Sequence, residues 1–150
     1  MNNYARFGAM IITSTIVMFG LMYLNTNQID HIFFSETRLY MALIMGAAMA
    51  IIMLGFMLGM YTNRRVNLGI FLGSTLVFVI ALWLVRSQVT IGDVAWLKAM
   101  IPHHSIAILT SERANLSDPR TRDLAGRIIE TQRQEIAEMK ALIQELENQP

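Results

Sequence analysis

Cysteine is absent from this sequence, and charged residues are scarce. The lack of cysteine excludes disulfides, thiolate metal sites and cysteine nucleophiles. Only 15% of the 150 residues are charged and 54% are hydrophobic, a balance that is not typical of soluble domains. The formal net charge is +1, and no basic face is present that would indicate nucleic-acid binding. The composition instead predicts a protein whose main partner is a lipid bilayer.

The few charges lie mostly in the second half of the chain. Residues 1–85 hold four Arg and two acidic residues, whereas residues 86–150 hold eight basic and nine acidic residues. The first part contains three uncharged runs, each able to cross a hydrocarbon layer of ~30 Å. These runs are 7–24, 39–61 and 68–85. We therefore expect two domains, a three-helix transmembrane anchor over 1–86 and a helical-hairpin domain over 87–150.

The loop charges predict the orientation of the anchor. Arg6 precedes the first run, and Arg64 with Arg65 fills the second loop, whereas Arg38 in the first loop is balanced by acidic residues. The positive-inside rule then places the N-terminus in the cytoplasm and the C-terminal domain on the outer side, which is the periplasm for a bacterial inner membrane. No run contains an ionisable residue, which argues against a coupled transporter.

The second run contains methionines at a regular spacing of four. They are Met41, Met45, Met49, Met53 and Met57, followed by Met60. One interpretation is a series of soft ligands that passes Cu(I) across the membrane. The other is a pliable packing surface, since methionine is an adaptable apolar residue. The rest of the membrane segment offers no support for conduction, so packing is the favoured interpretation.

Two amphipathic helices are predicted after the anchor, over about 90–115 and 118–147. Thr90 begins a capping-box pattern and is the expected N-cap of the first helix. Asp118 followed by Pro119 is typical of the start of the second. The apolar stripes are Val94, Leu97, Ile101 and Ile108 in the first helix, and Ala125, Ile128, Ile136, Met139, Ile143 and Leu146 in the second. The two helices are expected to fold back as an antiparallel hairpin.

One polar residue interrupts each stripe, His104 in the first helix and Gln132 in the second. Folding the hairpin about residue 117 brings His104 opposite roughly residue 130, which places Gln132 and Glu135 at the same level with Met139 a turn further. One interpretation is a buried His104–Gln132 pair that only sets the register of a helical bundle. His103 is then simply exposed.

The alternative interpretation is a metal site around Met100, His103 and His104. On a helix turning about 100° per residue, these three side chains share one flank. Imidazole and thioether ligands suit Cu(I) or Ag(I) better than Zn(II) or Mg(II). Pro102 removes one backbone hydrogen bond and distorts the helix beside both histidines. No catalytic role is expected, because the residue three before His103 is Met100 and not the Glu of a di-iron motif.

These residues also carry a resemblance to a known family. The sequence Met100-Ile-Pro-His-His104 and the tail Gln132-x-x-Glu135-Ile-x-x-Met139 resemble the domain-of-unknown-function-305 family over about residues 90–146. The resemblance implies a helical bundle of the ferritin-like kind in a membrane-anchored subgroup, and some members bind copper or silver. It makes Met100, His103, His104 and Met139 the expected ligands, with Gln132 and Glu135 in support.

The sequence thus predicts an all-α protein with three transmembrane helices and a periplasmic hairpin. Because a lone hairpin cannot enclose a core, a second copy is expected to complete a four-helix bundle. The leading function is Cu(I) or Ag(I) binding for metal tolerance or delivery, with an unidentified protein as metal donor or acceptor. The alternative is a non-catalytic structural or interaction protein of the membrane.

Overall fold

The computed structural model describes residues 3–148. This part of the chain forms five α-helices and one short 3-10 turn, with no β-strand, which confirms the predicted all-α class. The chain divides by contacts into two compact units. The first combines the chain up to Met22 with Thr37–Thr90, and the second combines Tyr23–Glu36 with the chain from Ile91 onward.

Three helices that are long and apolar enough to cross a membrane make up most of the first unit. They are α1 (Asn3–Leu21), α2 (Glu36–Phe56) and α3 (Arg64–Ser87). Helix α3 begins four residues before the apolar run predicted over 68–85, because Asn63 caps it. The side-chain oxygen of Asn63 accepts hydrogen bonds from the backbone N–H groups of Arg65 and Val66. Arg64 and Arg65, which we expected in a loop, therefore form the first turn of a helix.

Small side chains form the buried face of α2. Its buried members are Ala42, Gly46, Ala47 and Ala50, with Leu54 at the end. A Cβ at Gly46 would collide with the side chain of Thr15 on α1. Of the methionine series, Met41 and Met60 are exposed and the other four are half-buried. The close approach of α1 to α2 therefore depends on the missing side chain at Gly46.

A hydrogen-bond network joins α1 to the turn between α2 and α3. The Tyr4 hydroxyl donates to Asn67 Oδ1 over 2.9 Å and accepts from the backbone N–H of Asn63 over 3.0 Å. Asn67 is buried, and its Nδ2 donates to the carbonyl of Tyr61 over 2.7 Å. The Tyr61 ring contacts those of Tyr4 and Phe7. The turn is thus held by polar and aromatic contacts together.

Two antiparallel helices form the larger part of the second unit, α4 (Asp93–Arg113) and α5 (Pro119–Glu147). The prediction of Thr90 as the N-cap of α4 is wrong. The N-cap is Gly92, which has no capping side chain, and the Thr90 hydroxyl instead lies 2.9 Å from that of Tyr40. Asp118 caps α5 as predicted, because its carboxylate accepts hydrogen bonds from two backbone N–H groups of the first turn.

The core of the second unit lies between α4 and α5. It consists of Leu97, Ile101, Ile108, Ile136, Met139 and Ile143, all of which belong to the predicted stripes. Phe33, from the segment between α1 and α2, packs against this core. The neighbouring Phe34 is exposed.

The level at which α5 passes α4 differs from the prediction. The Lys98 ammonium lies 2.5 Å from the Glu147 carboxylate, and the Arg133 guanidinium lies 2.7 Å from that of Glu112. These two pairs place α5 further along α4 than a fold about residue 117 would, whereas His104 contacts Glu135, one of the two residues predicted at its level. The reason is the connector over 114–118, whose first and last residues have extended backbone angles. Extended residues advance the chain more than twice as far as helical ones, so a connector of this kind changes the alignment of α5 along α4.

Candidate functional site

The polar interruption of the α4–α5 core is a contact between His104 and Glu135. Nδ1 of His104 lies 3.0 Å from Oε2 of Glu135. The same Glu135 oxygen accepts a hydrogen bond from Nε2 of Gln132 over 3.2 Å. The His104–Gln132 pair that we considered as a register contact is therefore wrong in detail, because Gln132 is bonded to Glu135. Glu135 therefore contacts both predicted polar residues, His104 and Gln132.

Nδ1 of His104 is fully buried, yet it has no hydrogen-bond partner within the described residues. The Glu135 oxygen lies at ion-pair distance from this nitrogen. Burial lowers the pKa of His104, an effect that the Glu135 carboxylate opposes and that His103 adds to. The lowered pKa favours the neutral imidazole, which is the form that binds metals.

The two predicted methionine ligands both lie at the same core. Met139 is a buried member of that core, and Met100 is half-buried and packs against it. The structure thus brings Met100, Met139 and His104 to the contact between the two helices. A thioether here is also an ordinary packing group, because methionine fills irregular gaps in apolar cores.

His103 is separate from this contact. It is exposed, and the centre of its ring lies 6.0 Å from that of His104 with the planes tilted by 59°. Pro102 is buried within α4, and the helix continues without a break on both sides of it. The expected distortion therefore does not interrupt α4, and the two adjacent histidines differ in burial because successive helical residues point about 100° apart.

A third histidine belongs to this unit, and the sequence did not single it out. His31 is only 6% exposed, and its Nδ1 lies 2.9 Å from Oγ of Ser105 on α4. The backbone N–H of Asn27 donates to the same hydroxyl oxygen over 2.7 Å. Ser105 is itself fully buried. The segment between α1 and α2 is therefore attached to α4 at the residue that follows His104.

Charge also attaches this segment to α5. The ammonium of Lys140 lies 2.6 Å from the carboxylate of Asp30. Burial lowers the pKa of His31, Lys140 lowers it further, and Asp30 raises it. The only sequence signal for these contacts is the predicted membrane topology, which puts the first loop and the C-terminal domain on the same side of the bilayer. A single histidine in a loop has no pattern of its own.

Across residues 3–148, no group of three or more His, Asp, Glu or Cys side chains is arranged to hold a metal ion. One imidazole and one carboxylate meet at the helix contact, and thioethers supply the remaining candidate donors. This donor set does not suit Zn(II) or Mg(II), which take several nitrogen or oxygen ligands. Thioethers and imidazole are ligands that soft, low-charge ions prefer.

Comparison with known proteins gives a family and one relative. Residues 84–150 match the family described as Domain of unknown function (DUF305). The chain is 31% identical over 144 residues to the Uncharacterized protein L153 of Acanthamoeba polyphaga mimivirus, covering 91% of this chain and 93% of that protein. The similarity therefore extends through the apolar helices as well as the hairpin. No solved structure matches the chain.

Proposed function

Since the chain belongs to the DUF305 family, we propose that it is a membrane-anchored protein that binds Cu(I) or Ag(I) for metal homeostasis or tolerance. The proposed ligands are Met100, His103, His104 and Met139. Gln132 and Glu135 orient them. The anchor consists of the three apolar helices, which have the length and composition to cross a bilayer.

The observation that carries the proposal is the state of Nδ1 of His104. A buried nitrogen without a hydrogen-bond partner costs free energy, and native structures rarely keep one unless an ion, a water molecule or a functional group satisfies it. This nitrogen lies beside the Glu135 carboxylate, and the buried Met139 is one helical turn further along α5. A monovalent soft cation would satisfy the nitrogen lone pair, and the carboxylate would balance its charge.

One chain supplies few donors, so the proposal includes a second copy. Two helices alone cannot enclose their contact on all sides. Large apolar side chains of the hairpin, including Trp96 and Leu142, are exposed. A four-helix bundle formed by two hairpins would bury such side chains and duplicate the His104–Glu135 contact. The exposed His103 would then act as a ligand toward the neighbouring chain.

The location of the hairpin follows from the charges at the ends of the apolar helices. Arg64 and Arg65 begin α3, and the positive-inside rule assigns that end to the cytoplasm. The hairpin is proposed to lie on the other side, the periplasm of a bacterial inner membrane. There, a metal donor or acceptor protein could reach it. No catalytic activity is proposed, because the contact contains no nucleophile.

The test is a Cu(I) competition titration of the full-length protein in detergent against a chromophoric Cu(I) chelator. We expect His104→Ala to weaken Cu(I) binding by about tenfold or more, and Met139→Leu, which conserves volume, to weaken it as well. Gln134→Ala, on the exposed side of α5, is the matched control. Equal affinity of the wild-type and His104→Ala proteins for Cu(I) would refute the proposal.

The second candidate is a structural or interaction protein in which the His104–Glu135 contact only sets the helix register. The contact itself favours this candidate, because polar pairs within apolar helix contacts specify alignment. It predicts that His104→Ala changes the oligomeric state, measured by light scattering in detergent, while Cu(I) has no effect on any variant. Metal-dependent oligomerisation of the wild type would instead support metal binding.

A further inference from the structure

A cavity of about 240 Å³ lies beside the α4–α5 core, between the segment from Tyr23 to Glu36 and α5. We infer that this cavity binds a small aliphatic carboxylate. Its polar lining consists of Asn27, Gln28, His31, Arg133 and Lys140, and Ile108 and Ile136 provide an apolar wall. None of the described residues that line it is Asp or Glu.

Three side chains that can carry a positive charge, those of His31, Arg133 and Lys140, line the cavity together. His31 is 6% exposed, and the Lys140 ammonium is near enough to lower its pKa. Their acidic partners, Asp30 for Lys140 and Glu112 for Arg133, do not line the cavity. An anion inside the cavity would therefore lie near cationic donors with no acidic side chain among the described lining residues.

The chain itself shows that these groups accept a carboxylate. One oxygen of Asp30 lies 2.6 Å from the Lys140 ammonium, and the other lies 4.0 Å from Nε2 of His31. The Asp30 side chain is 65% exposed, and a pair this accessible to water is weak enough to exchange with another carboxylate. Asp30 itself does not line the cavity.

His31 is held in position for this role. The hydroxyl oxygen of Ser105 accepts from the backbone N–H of Asn27, and its own hydrogen is free to donate to Nδ1 of His31. In that arrangement the ring hydrogen is on Nε2, the nitrogen that is not bound to Ser105. Nε2–H, the ammonium of Lys140 and the guanidinium of Arg133 are then all donors, which matches the acceptor oxygens of a carboxylate.

The volume and the apolar wall limit the ligand. A cavity of 240 Å³ is smaller than the ~300–1,000 Å³ pockets that hold drug-sized molecules. Ile108 and Ile136 have no hydrogen-bonding side chain and favour a short hydrocarbon portion over a fully polar anion. A four-carbon carboxylate has the required combination of one anionic end and a short aliphatic chain.

The test measures binding of butyrate to the full-length protein in a zwitterionic detergent by saturation-transfer NMR. Butan-1-ol, which has the same chain without the charge, and inorganic phosphate, which has the charge without the chain, are the comparison probes; phosphate has no carbon-bound protons, so its binding is measured by its displacement of butyrate. We expect butyrate to bind and both other probes to bind at least tenfold more weakly. Binding of butan-1-ol as tight as that of butyrate, or of phosphate without butyrate, would overturn the inference.

Two substitutions separate a ligand site from a structural ion pair. Lys140→Met should weaken butyrate binding about tenfold, because it removes a charged donor. Asp30→Asn should strengthen binding severalfold, because it frees Lys140 from its internal partner. Arg127→Met, which removes an exposed cation of α5 paired with Asp123, is the matched control and should leave binding unchanged.

A purely structural pair predicts a different result. Lys140→Met and Asp30→Asn would then affect stability alike, and neither would change butyrate affinity, which would refute the carboxylate site. Circular dichroism of each variant establishes that it is folded before binding is measured. His104→Ala should bind butyrate like the wild type, so the outcome does not depend on the metal proposal.

Discussion

His31 and Ser105 are 74 positions apart in the sequence, and their side chains lie 2.9 Å apart in a buried contact. The hydroxyl of Ser105 also accepts the backbone N–H of Asn27. This contact makes the segment between the first two apolar helices part of the C-terminal unit. The stability of that unit should therefore depend on residues that the sequence assigns to a loop of the membrane anchor.

Ser105→Ala should destabilise the C-terminal unit by about 1–3 kcal/mol, because the N–H of Asn27 and Nδ1 of His31 lose their buried partner. The measurement is guanidinium unfolding in detergent, followed by tryptophan fluorescence. Ser111→Ala, on the same helix, is the control, since its hydroxyl has no comparable buried partner. Equal unfolding midpoints for the two variants would show that the contact contributes nothing.

His31 should make stability depend on pH. Its pKa in the folded protein is below the ordinary value of 6.5, so the unfolded chain takes up a proton at a pH where the folded chain does not. The free energy of unfolding should therefore fall as the pH is lowered from about 7.5 to 5.5. We expect a smaller fall in His31→Gln, measured by denaturant unfolding at several pH values.

The control for this dependence is His103→Gln, because His103 is exposed. It should retain the wild-type decrease in stability on acidification. If His31→Gln and the wild type lose stability equally over this pH range, the protonation of His31 is not coupled to folding.

Gly46→Ala should destabilise the first unit, which contains α1, α2 and α3, by about 1–3 kcal/mol, since the added methyl group meets the Thr15 side chain. That side chain cannot turn away without cost, because its hydroxyl donates to the carbonyl of Ile11. Gly55→Ala is the matched control on the same helix, where the added group meets no atom within 4 Å. Thermal unfolding in detergent, followed by circular dichroism, compares them.

The second substitution Thr15→Ala should restore most of the stability lost in Gly46→Ala. The collision is then absent, whereas any general effect of alanine on helix propensity would persist. Identical unfolding temperatures for Gly46→Ala and Gly55→Ala would contradict the close approach of α1 and α2.

Asn63→Ala should destabilise the first unit by about 0.5–2 kcal/mol, because two backbone N–H groups at the start of α3 lose their acceptor. Asn63→Asp keeps a capping oxygen and should retain most of the stability. Thr62→Ala, at the exposed neighbouring position, serves as the reference in the same thermal unfolding measurement. Loss of stability in Asn63→Asp as large as in Asn63→Ala would argue against capping as the cause.

Much of the fold could be predicted from local patterns. The three apolar helices follow from uncharged runs of sufficient length, and α5 begins at the predicted Asp118–Pro119 pair. The core residues of the hairpin follow from apolar spacing alone. Thr90 shows the limit of such patterns, because its hydroxyl contacts Tyr40 and a residue without a side chain caps α4.

The candidate site could be predicted only in part. His104, Glu135, Gln132 and Met139 meet because they lie on the facing stripes of two adjacent helices, which spacing reveals. Their approximate level follows from folding the hairpin about residue 117, whereas the register of the outer ion pairs depends on the connector over 114–118, which no local pattern predicts. His103 and His104 differ in burial because they point about 100° apart on the helix. The sequence motif alone does not distinguish the two residues.

The amino-acid sequence by itself determined which segments are helices, which of them are apolar enough for a membrane, and which stripe of each hairpin helix is buried. These properties depend on residues within a few turns of one another, so composition and periodicity encode them. The tertiary structure alone decided that His31 lies against Ser105, that Asp30 lies beside Lys140, and that three basic side chains share one cavity. Such contacts join residues up to 110 positions apart. They form because the whole unit packs together, and no local conformational preference of the chain encodes them.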